Sequence, residues 1–329
     1  MKSPLRNSRG VALILTILIV SLIIALTLQF NRTMRTHVAS AANVAHGLKA
    51  LYAAKSGISY SLALLMEDSR EVDTLLDQWA VEDSLDRVSG ALRAHFSCSQ
   101  PETKEKKQLV SIEDLSGKIQ INRLVENHEL EKVFKRFLKL DEFGLDQESI
   151  NVIVDSVMDW IDQADQEDDL VRFYGAEDDY YQSLERPYHC KNGPMDSPGE
   201  LLLVKGITPE LFSRIKPYIT VFGEDGKINI NTADPMVLMS LHEDMDMGMA
   251  ELMVDHRDNA DEDALRSTTW YHDAGVPKDI KIPKEIIATT SNHFRITAGG
   301  CFGHATKRIT TAVKRGDKED FRTLSWKIE

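Results

Sequence analysis

The chain has 329 residues, 42% of them hydrophobic, and carries 52 acidic against 39 basic side chains for a net charge of −13. The length leaves room for more than one folding unit. The charge argues against nucleic acid or anionic lipid surfaces as partners of whatever lies outside a membrane.

Val11 to Phe30 is an apolar run of 20 residues, as long as a bilayer-spanning helix needs to be, and a helix satisfies its own backbone polar groups. Lys2, Arg6 and Arg9 precede it, so the positive-inside rule keeps the N-terminus cytoplasmic and sends the remaining 299 residues outward. The Gly10-Val11 junction after a charged ten-residue leader resembles the signal of type IV pilins and pseudopilins. That resemblance implies that prepilin peptidase cuts after Gly10 and that Val11 becomes the methylated mature N-terminus. A simple signal anchor is the alternative. Pilins usually carry a glutamate at the fifth mature position, which here is Leu15. A carboxylate in hydrocarbon needs a cation, in these filaments the N-terminal amine of a neighbour. A subunit without it fits a filament end, and the K-type minor pseudopilin of the type II secretion system typically lacks it.

Asn31 to Glu67 contains no proline and reads as a continuation of the same helix, with Val38, Ala41, Ala42, Ala45, Leu48, Tyr52, Ala53, Leu62 and Leu65 as its apolar stripe. Together the two halves make about 55 residues, or about 80 Å. Leu109 to Ile112 and Lys118 to Ile121 are expected strands, and a sheet is expected from residues about 88–122 and 290–328. Between these segments the candidate helices are Leu130 to Leu140, Gln147 to Asp162, Ser197 to Lys205, Pro209 to Pro217 and Pro235 to Leu241. Thr208-Pro209 and Asp234-Pro235 read as caps followed by first-turn prolines. Gly117-Lys118-Ile119-Gln120-Ile121-Asn122 is echoed by Gly226-Lys227-Ile228-Asn229-Ile230-Asn231, which suggests two related helical units. Phe294 to Ala298 and Thr306 to Val313 read as a glycine-linked hairpin and Phe321 to Ile328 as a third strand.

Ten carboxylates, Asp159, Asp162, Asp165, Glu167, Asp168, Asp169, Glu177, Asp178, Asp179 and Glu185, stand against the single Arg172. A calcium ion, which takes roughly six to eight oxygen ligands, would relieve their repulsion, although the spacing is not that of an EF-hand. A solvated acidic face is the competing reading. Val204 to Glu210 and Ile230 to Asp234 look like helix-hairpin-helix units, but Glu243, Asp244 and Asp246 occupy the second hairpin and would repel phosphate. The ten histidines are scattered, and neither a nucleophile elbow nor a phosphate loop is present, so no catalytic residue is assigned. Of the three cysteines, Cys98, Cys190 and Cys301, a Cys98 to Cys301 bridge is one reading and three free thiols the favoured one.

Asp159-Trp160-Ile161-Asp162, Gly175 to Tyr181, Glu200 to Thr208, Asn229 to Ala233 and Phe294 to Ala298 follow one another in an order similar to that of the K-type minor pseudopilin family. The resemblance implies an α+β fold, in which a pilin-like long helix packs on a small antiparallel sheet interrupted by a large α-helical domain. The corresponding boundaries are a leader at 1–10, a transmembrane helix at 11–30, its continuation at 31–67, a pilin-like domain from 68–122 and 291–329, and an inserted domain at 123–290. It further implies calcium at the acidic residues inside matching motifs, Asp159, Asp162, Glu177, Asp178 and Asp179. The expected role is a non-enzymatic subunit at the tip of the secretion pseudopilus, anchored in the bacterial inner membrane with its bulk periplasmic. Its expected partners are the I-type and J-type minor pseudopilins, prepilin peptidase, and the secretin or an exported protein. A tip minor pilin of a type IV pilus and a signal-anchored calcium-binding periplasmic protein are the alternatives.

Overall fold

The computed structural model describes residues 8–81, 109–163, 172–316 and 320–329. In chain order the elements are helix α1 (Ser8–Glu67), strands β1 (Val110–Asp114) and β2 (Ile119–Gln120), and helices α2 (His128–Leu138), α3 (Gln147–Ile161), α4 (Asp178–Gln182) and α5 (Pro209–Ile215). Then come strands β3 (Ile219–Thr220) and β4 (Ile228–Asn229), helices α6 (Pro235–Ser240) and α7 (Met247–Asn259), and strands β5 (Ile287–Ala288), β6 (His293–Phe302), β7 (Ala305–Arg315) and β8 (Phe321–Ile328).

α1 is a single helix of 60 residues, about 90 Å long. Its most apolar window has a mean hydropathy of 3.1 and no buried residue, and among the described residues it is the one helix long and apolar enough to cross a membrane. Its second half packs on an antiparallel sheet of order β1-β6-β7-β8. Alternation along the strands turns Val110, Ile112, Phe294, Ile296, Ala298, Ile309 and Val313 toward the helix, where they meet Ala54, Ile58, Leu64 and Leu65. Trp79, in the segment after α1, closes this core edge-on against Phe294 at 5.3 Å. The architecture is the α+β arrangement expected from the sequence.

The face of α1 that packs is the expected one only in part: Ala53 and Leu65 of the expected stripe are buried and Leu62 packs against the core. Ala50, Ala53, Ala54, Ile58, Leu64 and Leu65 are buried, whereas Val38, Leu48 and Tyr52 of the expected stripe are exposed. Both stripes have helical spacing, and the small residues decide between them. Gly300 of β6 lies so close that a Cβ there would come to 1.9 Å from the Ala50 carbonyl oxygen.

The inserted helical region has its own core, to which α2 contributes Leu130, Val133, Phe134, Phe137 and Leu138. Two of its helices begin at the expected caps Thr208 and Asp234, and two more at caps the sequence analysis did not name, Asn127 and Asp146. Asn127 accepts from Leu130 N, Asp146 from Ser149 N, Thr208 from Leu211 N and Asp234 from Met236 N. Ser197 to Lys205 forms a 3₁₀ turn, Pro198–Leu203, with a Ser197-Glu200 capping box. The sequence echo is a structural repeat. β2 pairs in parallel with β3 across the first unit, and β4 with β5 across the second. The asparagine that ends each echo fastens its unit. Asn122 donates to the Met195 and Val221 carbonyls, and Asn231 to those of Leu265 and Thr289.

The turn between α6 and α7 exposes Glu243, Asp244 and Asp246, as the sequence suggests, and Asp246 caps α7 by accepting from Met249 N. Two expectations change. Lys118 to Ile121 does not join the main sheet, because the repeat draws it to β3. Cys190 is a buried free thiol but Cys301 is disulfide-bonded, so the reading of three free thiols fails there: the fold, which spacing along the chain does not reveal, supplies the proximity. Cys98 and the part of the expected sheet between 88 and 108 lie outside the described residues.

Candidate functional site

The Gly10-Val11 peptide lies in the opening turns of α1, at the N-terminal edge of the apolar run, and both residues are exposed. A Cβ at position 10 would meet nothing within 4 Å. Glycine costs a helix about 1 kcal/mol relative to alanine, and no packing among the described residues calls for it here. Leu15, the fifth residue counted from Val11, is also exposed.

The acidic site is built from the last turn of α3 and the loop leading to α4. Asp159 is buried and Asp162 is the residue that ends the helix. Arg172 returns over both, its Nη1 donating to Asp159 Oδ1 at 2.7 Å and to Asp162 Oδ2 at 2.6 Å. The other Asp159 oxygen accepts from the Ala176 amide at 2.8 Å. This contact needs glycine at 175, because a Cβ there would fall 1.7 Å from Asp159 Oδ2. Burial holds the Asp159 carboxyl above its ordinary range despite Arg172 and Ala176. Trp160, buried and edge-on to Tyr181 at 5.1 Å, anchors the end of α3 in the core.

Of the five expected ligands, the fold brings together Asp159, Asp162 and Glu177, whose carboxylate oxygens lie within 4.8 Å of one another. Asp178 points elsewhere, accepting from the Cys190 amide at 2.8 Å, a bond that draws its pKa below the usual value, and lying 3.2 Å from His189 Nδ1. Asp179 is exposed in the first turn of α4. Asp165, Glu167, Asp168 and Asp169 lie outside the described residues. The sequence reading overlooked Lys205, whose Nζ donates to the carbonyls of Gly175 at 3.1 Å and Tyr174 at 3.4 Å and so holds the loop in place. Its position in the Val204-Lys205-Gly206 motif was the available signal.

Three carboxylates, two of them bound by one guanidinium, form an all-oxygen donor set with more negative than positive charge. That chemistry fits a hard cation such as calcium better than a thiophilic metal. Arg172 stands in for part of that positive charge.

The chain matches the family model described as type II secretion system (T2SS), protein K, over residues 117–224 and 228–267. It is 30% identical to the type II secretion system protein K of Pseudomonas aeruginosa over 97% of this chain and 92% of that relative. With the corresponding protein of Aeromonas hydrophila the identity is 28% over 70% and 69%. Among solved structures it resembles a chain of the GspK-GspI-GspJ complex from the type 2 secretion system of enterotoxigenic Escherichia coli. That likeness has a TM-score of 0.60 at 17% identity and covers 91% of this chain and 99% of the other, which establishes the fold.

Proposed function

Because the chain belongs to the type II secretion system protein K family, whose members are minor pseudopilins, we propose that it stands at the tip of the secretion pseudopilus and starts its assembly. The observation that carries this reading is the division of α1. Its first half is apolar and uncovered, and its second half is fixed to a sheet. Such a helix is anchored in a membrane before assembly and has to be covered by neighbouring helices once it leaves. Two features support a terminal position: Leu15 in place of a carboxylate, and a helical domain too bulky to be stacked upon. The role is structural, without chemistry of its own.

The solved relative is a GspK-GspI-GspJ complex. By that likeness the partners here are I-type and J-type minor pseudopilins, received on the exposed α1 face that includes Leu48 and Tyr52. Prepilin peptidase acts between Gly10 and Val11, followed by methylation of Val11. The anchor is single-pass in the inner membrane with the bulk of the chain periplasmic, facing the secretin or an exported protein. Calcium is held by Asp159, Asp162 and Glu177, where it would neutralise their charge and fix the end of α3 to the loop before α4. Family membership favours secretion over a type IV pilus.

Gold labelling of a tag on the inserted domain tests the placement. Label at one end of sheared pseudopili supports a tip subunit, and label along their length overturns it.

A further inference from the structure

Part of the α1 stripe expected to pack on the sheet is left uncovered, and its spacing is that of a helix-helix seam. Met34, Val38, Ala41, Ala45, Leu48 and Tyr52 follow one another at alternating intervals of four and three residues, and all six are exposed. This alternation is the apolar repeat of a coiled coil. It runs along the side of α1 away from the sheet, which covers Ala50, Ala53, Ala54 and Ile58 instead.

Cations alone line the seam. Arg35 and Lys49 each stand one position after a seam residue, Met34 and Leu48, and so share one flank two heptads apart, and Lys55 occupies the next seam position after Tyr52. The chain contains no Asp or Glu before Glu67. Among the described residues none of the three cations is in an ion pair: Arg35 Nε donates to Asn31 Oδ1 at 3.1 Å, and the Nζ atoms of Lys49 and Lys55 lie 4.1 and 5.6 Å from the centres of the Phe302 and Tyr52 rings. Lipid headgroups do not meet this charge at Lys49, which stands about 28 Å along the helix from Phe30, the end of the apolar run, whereas screening acts over about 8 Å. A second copy of the chain would bring only the same cations to the seam.

We propose, on the reading that this chain assembles with minor pseudopilins, that the exposed seam of α1 seats one parallel helix of such a partner, which carries carboxylates beside its own apolar seam opposite Arg35 and Lys49. The same cations turn away a second copy of this chain. The apolar residues supply most of the affinity, since exposed ion pairs contribute little each, and the flanking charges select which helix enters. Anchorage of both helices through their N-terminal halves makes them parallel.

The test is the affinity of the full-length chain in nonionic detergent for the I-type and J-type minor pseudopilins of the same secretion system, added separately and together, at about 50 mM and about 300 mM salt. The expected result is binding whose Kd rises about tenfold or more between the two conditions, with a loss of similar size at low salt on joint Arg35→Glu and Lys49→Glu substitution. Arg35→Lys with Lys49→Arg is expected to bind as the wild type does. Both positions are exposed and lie off the face that packs on the sheet, so the charge reversal leaves the fold intact. Binding indifferent to salt and to charge reversal overturns the charged seam while leaving assembly with minor pseudopilins standing. No complex with either partner at micromolar concentration overturns both. A wild-type homodimer that Leu48→Glu dissociates overturns the exclusion of a second copy, and the seam's selectivity with it.

Discussion

Gly300 of β6 presses against Ala50 of α1 so closely that the missing Cβ would stand 1.9 Å from the Ala50 carbonyl oxygen and 2.5 Å from the Ala54 amide nitrogen. The neighbouring atoms are helix backbone, which cannot rotate away as a side chain does. Gly300→Val should therefore push α1 off the sheet and cost about 3 kcal/mol, at the upper end of overpacking penalties. Denaturant unfolding of the variant measures this, and a loss under about 0.5 kcal/mol, the scale of surface substitutions, would show that the helix is not seated there.

This contact also explains how much of the fold could be read in advance. The apolar run, the β6-β7 hairpin, β8 and the capped helices have strong local signals in period, glycine placement and Asn, Asp, Ser or Thr caps. The orientation of α1 has none. Leu48 and Tyr52 look as core-forming as Ile58 and Leu64, and it is distant partners, Gly300 and the apolar side chains of the sheet, that select the face carrying Ala50, Ala53 and Ala54. Lys118 to Ile121 has strand composition in either sheet, and its partner Ile219 lies 100 residues away. At the acidic site, Asp159, Asp162 and Glu177 were legible as a cluster, but the clamp by Arg172 and the support from Lys205 depend on loop geometry that spacing does not encode.

Calcium binding is expected to stabilise the chain by mass action. At free calcium about a hundredfold above its Kd, the gain of about 2.7 kcal/mol corresponds to about 5–10 °C in Tm. Chelation should remove that increment from the full-length protein, and Asp159→Asn should make it insensitive to chelator. Equal melting with and without chelator would leave Asp159, Asp162 and Glu177 as a group neutralised by Arg172 alone.

Stability should fall as pH rises through neutrality. Burial gives Asp68 and Asp73 folded-state pKa values of about 6 and about 7 against an ordinary 3.8, so between these limits the folded chain holds more protons than the unfolded one. Their stabilising contribution is complete below 3.8 and is lost as pH rises through 6 and 7. Thermal unfolding from pH 4.5 to 8 should show this slope, reduced in Asp73→Asn. A slope that is the same in both proteins would place its origin elsewhere.

Processing at Gly10 has a direct readout in the intact mass of the membrane-extracted chain. Co-expression with prepilin peptidase should yield a chain beginning at a methylated Val11, and expression without it an uncut leader. Gly10→Leu should abolish the cut while leaving α1 helical, since there is room for the side chain. An uncut leader in both conditions would make residues 11–30 a plain anchor.

The central claim is that this chain acts as the K-type member of a minor pseudopilin assembly. Its most direct test is to mix the purified full-length chain with the I-type and J-type minor pseudopilins of the same secretion system in detergent and to measure the mass by light scattering. We expect one complex containing each subunit once at micromolar concentration, weakened when Tyr52→Glu places a charge on the exposed face of α1. Separate species at that concentration would contradict the account.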